Sequence, residues 1–590
     1  MENIEIAKAL SQVADLLEIQ KSNPFRIRAY RNAARFVADY ASPMRKLVAE
    51  GADLTQFPGI GKDMSQSIRD LVETRSLALL EELSHKVPRS LILIMRLPGV
   101  GPKKARLLWQ EKGIETVEQL EVAAKQGILI GIPGFGEKSQ AKVLAGIKHL
   151  RQHRGRFKLS EADQLIAPLV EYMQETPELL RLEVAGSYRR RRETVGDIDL
   201  LAMASEAAPV MTRFIEYPGV ARVEMSGETR GRVVLHSELE VDLRIVPPKS
   251  YGAALIYFTG SKEHNIKLRR RALERGLRLS EYGVFREDVR EEESAAGEHS
   301  DADPWAGRQV AGGDESEVYS SIDLVFVEPE MREDRGEVEA SAAGALPDLL
   351  EHGDIRGDLQ MHSTWSDGKN SIEEMMQACL ARGYEYFALT DHSKALAMTG
   401  GLDAKRLQEQ WREIEEIEAR YPQIRLLRSL EVDILAEGGL DLEDEMLQQL
   451  DLVVVSVHSR FDLPARRQTD RILNALQHPA VDILAHPTGR IINRRAPFEF
   501  DLDEVLHCAK ENRVAVELNA HPERLDLKDS HLILARELGV PVVISTDAHR
   551  AGHLDLMHYG VEQARRAWLT KENVLNTLPL KQFLEAFQIS

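Results

Sequence analysis

Three acidic residues, Asp197, Asp199 and Asp242, stand where they could do two-metal chemistry. The stretch Gly186-Ser-Tyr-Arg-Arg-Arg-Arg-Glu-Thr-Val-Gly-Asp-Ile-Asp199 reads as a turn running into a strand, and alternate side chains of a strand share a face. Asp197 and Asp199 therefore project together. Asp242, in Glu240-Val-Asp-Leu-Arg244, can join them from a neighbouring strand. Three unneutralised carboxylates repel one another unless a divalent cation lies between them. Two magnesium ions about 4 Å apart would serve an in-line phosphoryl transfer there. Ahead of the carboxylates, Gly186-Ser187 offers N–H and hydroxyl donors to phosphate, and Arg190 adds charge.

A second chemical set lies far downstream. Asp358-Leu-Gln-Met-His362, Ser366-Asp-Gly368, Thr390-Asp-His392, Glu431, His458, His486 and Asp547-Ala-His549 supply imidazole and carboxylate groups at the ends of apolar runs. A lone histidine at a strand end is more often packing than a ligand, but six such ends together reverse that reading. The mixture suits manganese, zinc or iron, and a cluster of such ions would generate hydroxide and clamp a phosphate ester for hydrolysis. Lys394 and Arg460, beside ligand-bearing ends, are candidate phosphate contacts.

The third feature is a repeat: Pro58-Gly-Ile-Gly61, Pro98-Gly-Val-Gly101 and Pro133-Gly-Phe-Gly136, each leading into a helix-like segment. Such a turn exposes backbone N–H groups at a helix N-terminus, where glycine permits close approach and the helix dipole favours an anion. Gly59, Gly61, Gly99, Gly101, Gly134 and Gly136 would grip backbone phosphates, with Lys62, Lys103, Lys104 and Lys138 adding counter-charge.

These residues require particular elements to position them. From Ala162 to about Val246, strand-like runs such as Arg232-Val-Val-Leu235 alternate with helical pieces, an α/β pattern. Beyond Asp354, seven apolar runs recur every 27 to 39 residues, each ending on a polar residue, which implies parallel βαβ units closing into a barrel. Residues 287–313 are too polar to bury a core and read as a mobile loop.

The net charge of −19 does not argue against a nucleic-acid partner, because residues 1–160 carry 26 Lys/Arg against 17 Asp/Glu while the acidity gathers beyond residue 280. Two cysteines, Cys379 and Cys508, exclude a disulfide framework. No signal pattern opens the chain and no apolar run reaches membrane length, so a cytoplasmic protein is expected.

The Asp197–Asp199 stretch, Val241-Asp-Leu-Arg-Ile-Val-Pro247, Tyr257-Phe-Thr-Gly-Ser261, Asn23-Pro-Phe-Arg-Ile-Arg-Ala-Tyr30 and Glu281-Tyr-Gly-Val-Phe285 together resemble a family X DNA polymerase, and the three turns resemble the helix-hairpin-helix motif. The resemblance implies that Asp197, Asp199 and Asp242 bind the metals, with Asp242 the base for the primer 3′-hydroxyl. By it, Gly186, Ser187, Arg190 and Gly196 contact the triphosphate; Tyr257, Phe258 and Gly260 line the sugar pocket; and Asn265 lies near the minor-groove edge of the new pair. Animal repair members carry a Schiff-base lysine where this chain has Ser67, which cannot do that chemistry, so lyase activity is expected to be weak or to depend on another amine.

Residues 353–580 resemble the polymerase and histidinol phosphatase (PHP) domain, a distorted seven-stranded barrel with a trinuclear metal centre. That domain is associated in bacterial family X polymerases with 3′-to-5′ exonuclease and 3′-end phosphoesterase activity. The family's first ligand is replaced by Gln360, a neutral and weaker ligand; His362, Asp367, His392, Glu431, His458, His486, Asp547 and His549 remain.

The expected fold is thus multidomain, α and α/β. A helical DNA-binding part spans 1–85 and a fingers-like part 86–158. A nucleotidyltransferase palm spans 159–250 and a thumb 251–335. A linker (336–353) leads to the barrel (354–590). The expected partners are gapped or nicked DNA, primer 3′ ends and deoxynucleoside triphosphates, the expected cofactors Mg²⁺ in the palm and Mn²⁺ or Zn²⁺ in the barrel, and the expected state a monomer. Sequence leaves open a phosphoesterase with a non-polymerising palm, and a DNA-end scaffold with both sites degenerate.

Overall fold

The computed structural model describes residues 1–40, 43–57, 59–97, 99–152, 155–286 and 309–589. By its internal contacts the chain divides into two compact units. One comprises Met1–Leu182, Val195–Ile245 and Asn493–Arg495; the other comprises Glu183–Thr194, Val246–Ile492 and Ala496–Ser590.

The first unit begins with helices. Helix α1 (Asn3–Ile19) buries Ile6, Leu10, Val13 and Leu17 on one stripe, and α2 (Pro24–Asp39) starts where the Asn23 side chain accepts the Phe25 N–H at 2.9 Å and Pro24 supplies a preset first turn. One apolar core runs from Ile6 to Ile147 through this helical part. Helices α3 (Lys62–Thr74), α4 (Pro102–Lys112) and α5 (Glu137–Gln152) each follow one of the three glycine turns.

Apart from the last two residues of β1, the same unit carries a five-stranded sheet: β1 (Leu179–Val184), β2 (Asp197–Ala204), β3 (Val220–Ser226), β4 (Arg230–Leu235) and β5 (Glu240–Ile245), in the order β1-β2-β5-β4-β3. β2 and β5 are parallel, with Asp199 opposite Asp242; β4 runs antiparallel to β5, with Arg232 opposite Asp242. Ile198, Leu200, Val241 and Leu243 are buried between the acidic positions, so the alternation of the strands turns the carboxylates to the other face.

In the second unit, helices α6 (Tyr251–Thr259) and α7 (Lys262–Leu273) pack near an antiparallel sheet of β6 (Leu277–Ser280), β7 (Gly283–Arg286) and β8 (Gln309–Ala311). Two expectations change here. Of the loop expected over 287–313, residues 287–308 lie outside the described residues, but Gln309–Ala311 form a strand, because Gln309 pairs with Phe285 and Ala311 with Val284. The expected linker 336–353 contains a helix, Glu337–Ala342, whose Glu337 is fully buried against His264 at 2.6 Å.

Seven parallel strands follow: β9 (Gly357–Met361), β10 (Tyr386–Leu389), β11 (Arg425–Asp433), β12 (Leu452–Ser456), β13 (Ile483–Leu484), β14 (Ala515–Asn519) and β15 (Val542–Ser545), paired in sequence order. The His362 N–H donates to the Ala548 carbonyl at 2.8 Å and Met361 bridges Ala548, which closes the barrel. The strands are buried on both faces, as parallel strands flanked by helices must be. Tyr386, Ala388, Leu427, Val454 and Ile483 gather around Phe583 of the last helix, Leu580–Phe587, while Phe387, Leu389, Leu426, Val453 and Val455 join the outer core. Phe583 stacks on Tyr386 at the start of β10, with ring centroids 4.2 Å apart, so the N-terminal end of the barrel is plugged and chemistry is left to the C-terminal end.

Candidate functional site

The three glycine turns share one backbone solution. Gly59, Gly99 and Gly134 have φ of 80°, 78° and 85°, a left-handed conformation costly for any residue with a Cβ. The next residue, Ile60, Val100 or Phe135, is buried and donates its N–H back to Phe57, Leu97 or Ile132. Gly61 and Gly101 then cap α3 and α4, with open space where a Cβ would stand, as at Gly136. Each turn thus leaves room for a ligand atom to approach the helix start. Lys62 and Lys103 are exposed beside their turns. Lys104 is otherwise engaged: its Nζ donates to the Gly99 carbonyl at 2.9 Å and lies over the Phe135 ring, tying the second turn to the third rather than facing a phosphate. Pro58, Pro98 and the Lys138 side chain lie outside the described residues. Ser67 is buried on α3 and donates its hydroxyl to the Asp63 carbonyl at 2.9 Å, so no amine stands at that position.

On the palm sheet, burial and then the neighbouring Asp197 and Asp242 push the Asp199 carboxyl up to about 7. The like charges are close enough to be felt. Arg232 meets Asp242 in a two-pronged bond, both contacts 2.9 Å, and this guanidinium is a counter-charge that the strand pattern did not reveal. With Asp242 held by Arg232, the three aspartates do not form a set of donor atoms within 4.8 Å of one another, a spacing met twice elsewhere among the described residues. Burial and the two neighbouring carboxylates that raise Asp199 are the fit for a cation: a divalent ion would offset both and compete with Arg232 for Asp242. Gly196 precedes Asp197, and a Cβ there would come 3.4 Å from Arg156.

In the second unit, Gly186 has φ of 64° and opens a single helical turn, Gly186–Arg189, that carries Ser187. Arg190 follows it. Its Nη1 donates to the Thr259 carbonyl, its Nε to Glu333 at 3.0 Å, and a Cβ on Gly260 would stand 3.0 Å from that Nη1. Arg190 and the end of α6 are therefore one local site. Tyr257 and Phe258 meet edge to face at 5.1 Å, and the Asn265 amide donates to the Tyr257 carbonyl at 2.8 Å while its buried Oδ1 has no hydrogen-bond partner. That orphaned oxygen is an acceptor waiting for a donor.

The barrel assembles all eight retained ligand candidates at one mouth. His362, Asp367, His392 and His549 offer donor atoms mutually within 4.8 Å, as do His392, Glu431 and His458. Glu431 lies at the centre, 2.9 Å from His486, 3.0 Å from His392 and 3.3 Å from His458. His362 meets Asp547 at 3.1 Å, and His549 meets Asp367 at 3.5 Å. Burial would raise Glu431, but His458 and His392 hold it well below the usual carboxylate range. Burial, reinforced by His486 and His392, pushes His458 down to about 3 against the pull of Glu431, whereas Asp367 and Asp547 overcome burial to lift His549 to about 9. His486 and Asp547 sit at φ of 26° and 54°, a backbone conformation that costs free energy and marks positions fixed by their neighbours. His362 Nδ1 and His486 Nδ1 are buried with no hydrogen-bond partner. Orphaned donors of this kind, in a mixed imidazole and carboxylate set, fit manganese, zinc or iron.

Gln360 is buried and engaged by a neighbouring carboxyl. With its amide nitrogen turned to Glu517, it donates to that fully buried carboxyl, which burial and then Asp547 raise well above its ordinary value. Lys394 is half exposed, 3.9 Å from Glu443, and Arg460 is exposed.

Sequence reasoning missed the supports. Asp391, buried beside His392, accepts from the Ser363 N–H and hydroxyl at 2.9 and 2.7 Å and from Gln410 at 2.7 Å, which fixes the loop leading to Asp367. Asn519 donates to Asp547 at 3.1 Å, Ser456 meets His458 at 3.1 Å, and Arg524 lies 3.5 Å from Asp547. Adjacency in Thr390-Asp-His392 was the available signal for Asp391; nothing in the sequence pointed to Arg524.

Comparisons with known proteins agree with this geometry. Residues 1–77 match a helix-hairpin-helix domain and 91–148 a SAM-like helix-hairpin-helix tandem. Residues 254–333 match the DNA polymerase beta thumb, and 358–521 the PHP domain. The chain is 39% identical to the DNA polymerase/3′-5′ exonuclease PolX of Bacillus subtilis over 100% of its own length and 99% of that protein's. It is 23% identical to DNA polymerase lambda of Rattus norvegicus over 56% of each chain. It is also 30% identical to an Acetivibrio thermocellus protein named "Probable phosphatase", over 35% of this chain and 85% of that one.

Proposed function

Because the chain belongs to the bacterial family X DNA polymerases that carry a C-terminal PHP domain, we propose that its palm aspartates extend a primer and that its barrel trims the same 3′ end. The protein is a DNA-directed DNA polymerase joined to a metal-dependent 3′-to-5′ exonuclease. The observation that carries the assignment of its synthetic site is the register of the sheet, which sets Asp199 directly opposite Asp242 on parallel strands with Asp197 two residues before it.

Mg²⁺ bound there would neutralise the triphosphate and make the primer hydroxyl more acidic. Asp197 and Asp199 hold the charge that recruits it. Asp242, once released from Arg232, accepts the proton of the 3′-hydroxyl. Gly186, Ser187, Arg190 and Gly196 orient the triphosphate, Tyr257, Phe258 and Gly260 bound the sugar, and Asn265 offers its unpaired oxygen near the new base pair. The glycine turns hold the duplex flanking a short gap by its phosphates, without reading bases. In the barrel, His362, Asp367, His392, Glu431, His458, His486, Asp547 and His549 would hold Mn²⁺ or Zn²⁺, which supplies a hydroxide nucleophile. The protein works on gapped or nicked DNA in repair, as a monomer. Among the described residues no helix is long and apolar enough to cross a membrane.

Primer extension on DNA with a one-nucleotide gap, with Mg²⁺ or Mn²⁺, tests the reading. Addition of the complementary nucleotide by the parent protein, lost in Asp197→Ala, is the expected result. Extension that survives Asp197→Ala would overturn the site assignment.

A further inference from the structure

The segment that carries Arg190 is fastened to the PHP barrel. We propose that Arg566, at the end of the barrel helix Met557–Arg566, is a positioning residue for polymerisation that holds Arg190 ready for the incoming triphosphate. The proposal rests on the reading that Arg190 contacts that triphosphate.

All the residues involved belong to the second compact unit. Arg566 is 3% exposed, and its Nη1 donates both to the Arg190 carbonyl and, at 3.1 Å, to Glu333. Its Nη2 donates to Asp529 at 2.6 Å, and Asp529 also receives Arg335 at 3.0 Å. Glu333 in turn accepts from Arg190 Nε at 3.0 Å and Arg192 Nη1 at 3.2 Å. Arg190 is therefore held twice through one barrel residue, by its main chain directly and by its guanidinium through Glu333. The neighbouring positions repeat the pattern. Arg191 pairs at 3.1 Å with Glu562, one helical turn before Arg566, and Glu193 pairs at 2.7 Å with Arg490, a buried arginine of the barrel.

Simple adhesion between packed elements does not call for this arrangement. Buried ion pairs carry a desolvation cost that apolar side chains of the same volume avoid. What the ion pairs add is direction: a guanidinium fixed at Nε and Nη1 points one way only. Arg190 Nη1 reaches the carbonyl of Thr259, the residue between Gly260 and the aromatic pair Tyr257–Phe258, so the network sets the charge of Arg190 relative to the sugar pocket.

The test uses the full-length protein on one-nucleotide-gap DNA, with nuclease activity on single-stranded DNA as control. Arg566→Met should raise the KM for deoxynucleotide about tenfold, lower kcat less, and leave the nuclease rate in place. Arg566→Lys, which keeps one donor, should recover part of that loss, and Glu562→Gln should give a smaller rise in KM. Unchanged KM in folded Arg566→Met overturns the proposal, and so does a parallel loss of both activities, which would mark Arg566 as structural only. If Arg566→Met does not fold, Glu562→Gln decides: an unchanged KM overturns the proposal. Arg190→Ala separates the two levels. If it leaves KM unchanged, the reading of Arg190 fails; if it raises KM while Arg566→Met does not, only the positioning role fails.

Discussion

The palm and the barrel both gather acidic or imidazole groups for phosphate chemistry, yet they are built to opposite specifications. The palm draws three carboxylates from two strands of one sheet face, leaves Asp197 exposed, and gives Asp242 to Arg232. The barrel draws eight candidate donors from its strand ends and the loops after them, buries most of them, and sets two groups with donor atoms within 4.8 Å of one another. Its candidate ligands are also backed by Asp391, Asn519 and Ser456. A site whose cations arrive with a nucleotide must stay open and exchangeable, whereas a site with resident ions is assembled by the protein beforehand. The comparison teaches that the number of supports behind a ligand, more than the ligand's identity, separates the two kinds of centre.

The largest test of this contrast separates the activities. Asp242→Ala should reduce primer extension by at least about 10³-fold, since it removes both a charge and the proton acceptor, while exonuclease activity on single-stranded DNA stays near the parent rate. Glu431→Gln should do the reverse, because one carboxylate faces three imidazoles in the barrel. A variant that silences both activities would break the claim of two independent centres.

A smaller effect is expected from the supports. Asp391→Asn keeps every ligand but weakens the hold on the Ser363–Asp367 loop, and should lower barrel metal affinity about 10- to 100-fold. Metal content after dialysis against a graded chelator reads this directly. The parent protein should keep its barrel metal through dialysis that strips the palm of Mg²⁺. Equal loss from both centres would erase the distinction between resident and exchangeable ions.

Much of this was legible beforehand, for physical reasons that can be named. Strand alternation placed Asp197 and Asp199 on one face, and a recurring apolar run with a polar end announced each barrel strand. The glycine turns were legible because only glycine takes the φ of Gly59, Gly99 and Gly134 at low cost. What stayed hidden depended on register and long-range partners. Arg232 becomes the partner of Asp242 only when β4 pairs antiparallel with β5 in one register. Lys104 looked like a phosphate contact because proximity to a turn says nothing about which carbonyl a flexible amine will choose. Glu337 looked like a linker residue because its buried partner His264 lies far off in sequence, and nothing local tied Glu333 to Arg190 and Arg566.

Gln360 supplies the last and smallest test. It stands where the resemblance leads one to expect a histidine, but in the fold its amide serves the buried carboxyl of Glu517, which also accepts the His486 N–H at 2.6 Å. Gln360 thus stabilises the strand end that presents His486. Placing an imidazole there adds a stronger donor but withdraws a hydrogen bond from a carboxyl with no access to water, and the two effects oppose each other. Since six of the remaining eight candidates already form two groups of metal-binding spacing, Gln360→His should change the exonuclease rate by less than about tenfold in either direction. Metal content measured beside the rate sharpens the result. A rise in bound metal with little change in rate would mean that the ion held near Gln360 is not rate-determining, whereas a gain well beyond tenfold would show that glutamine leaves the centre incomplete.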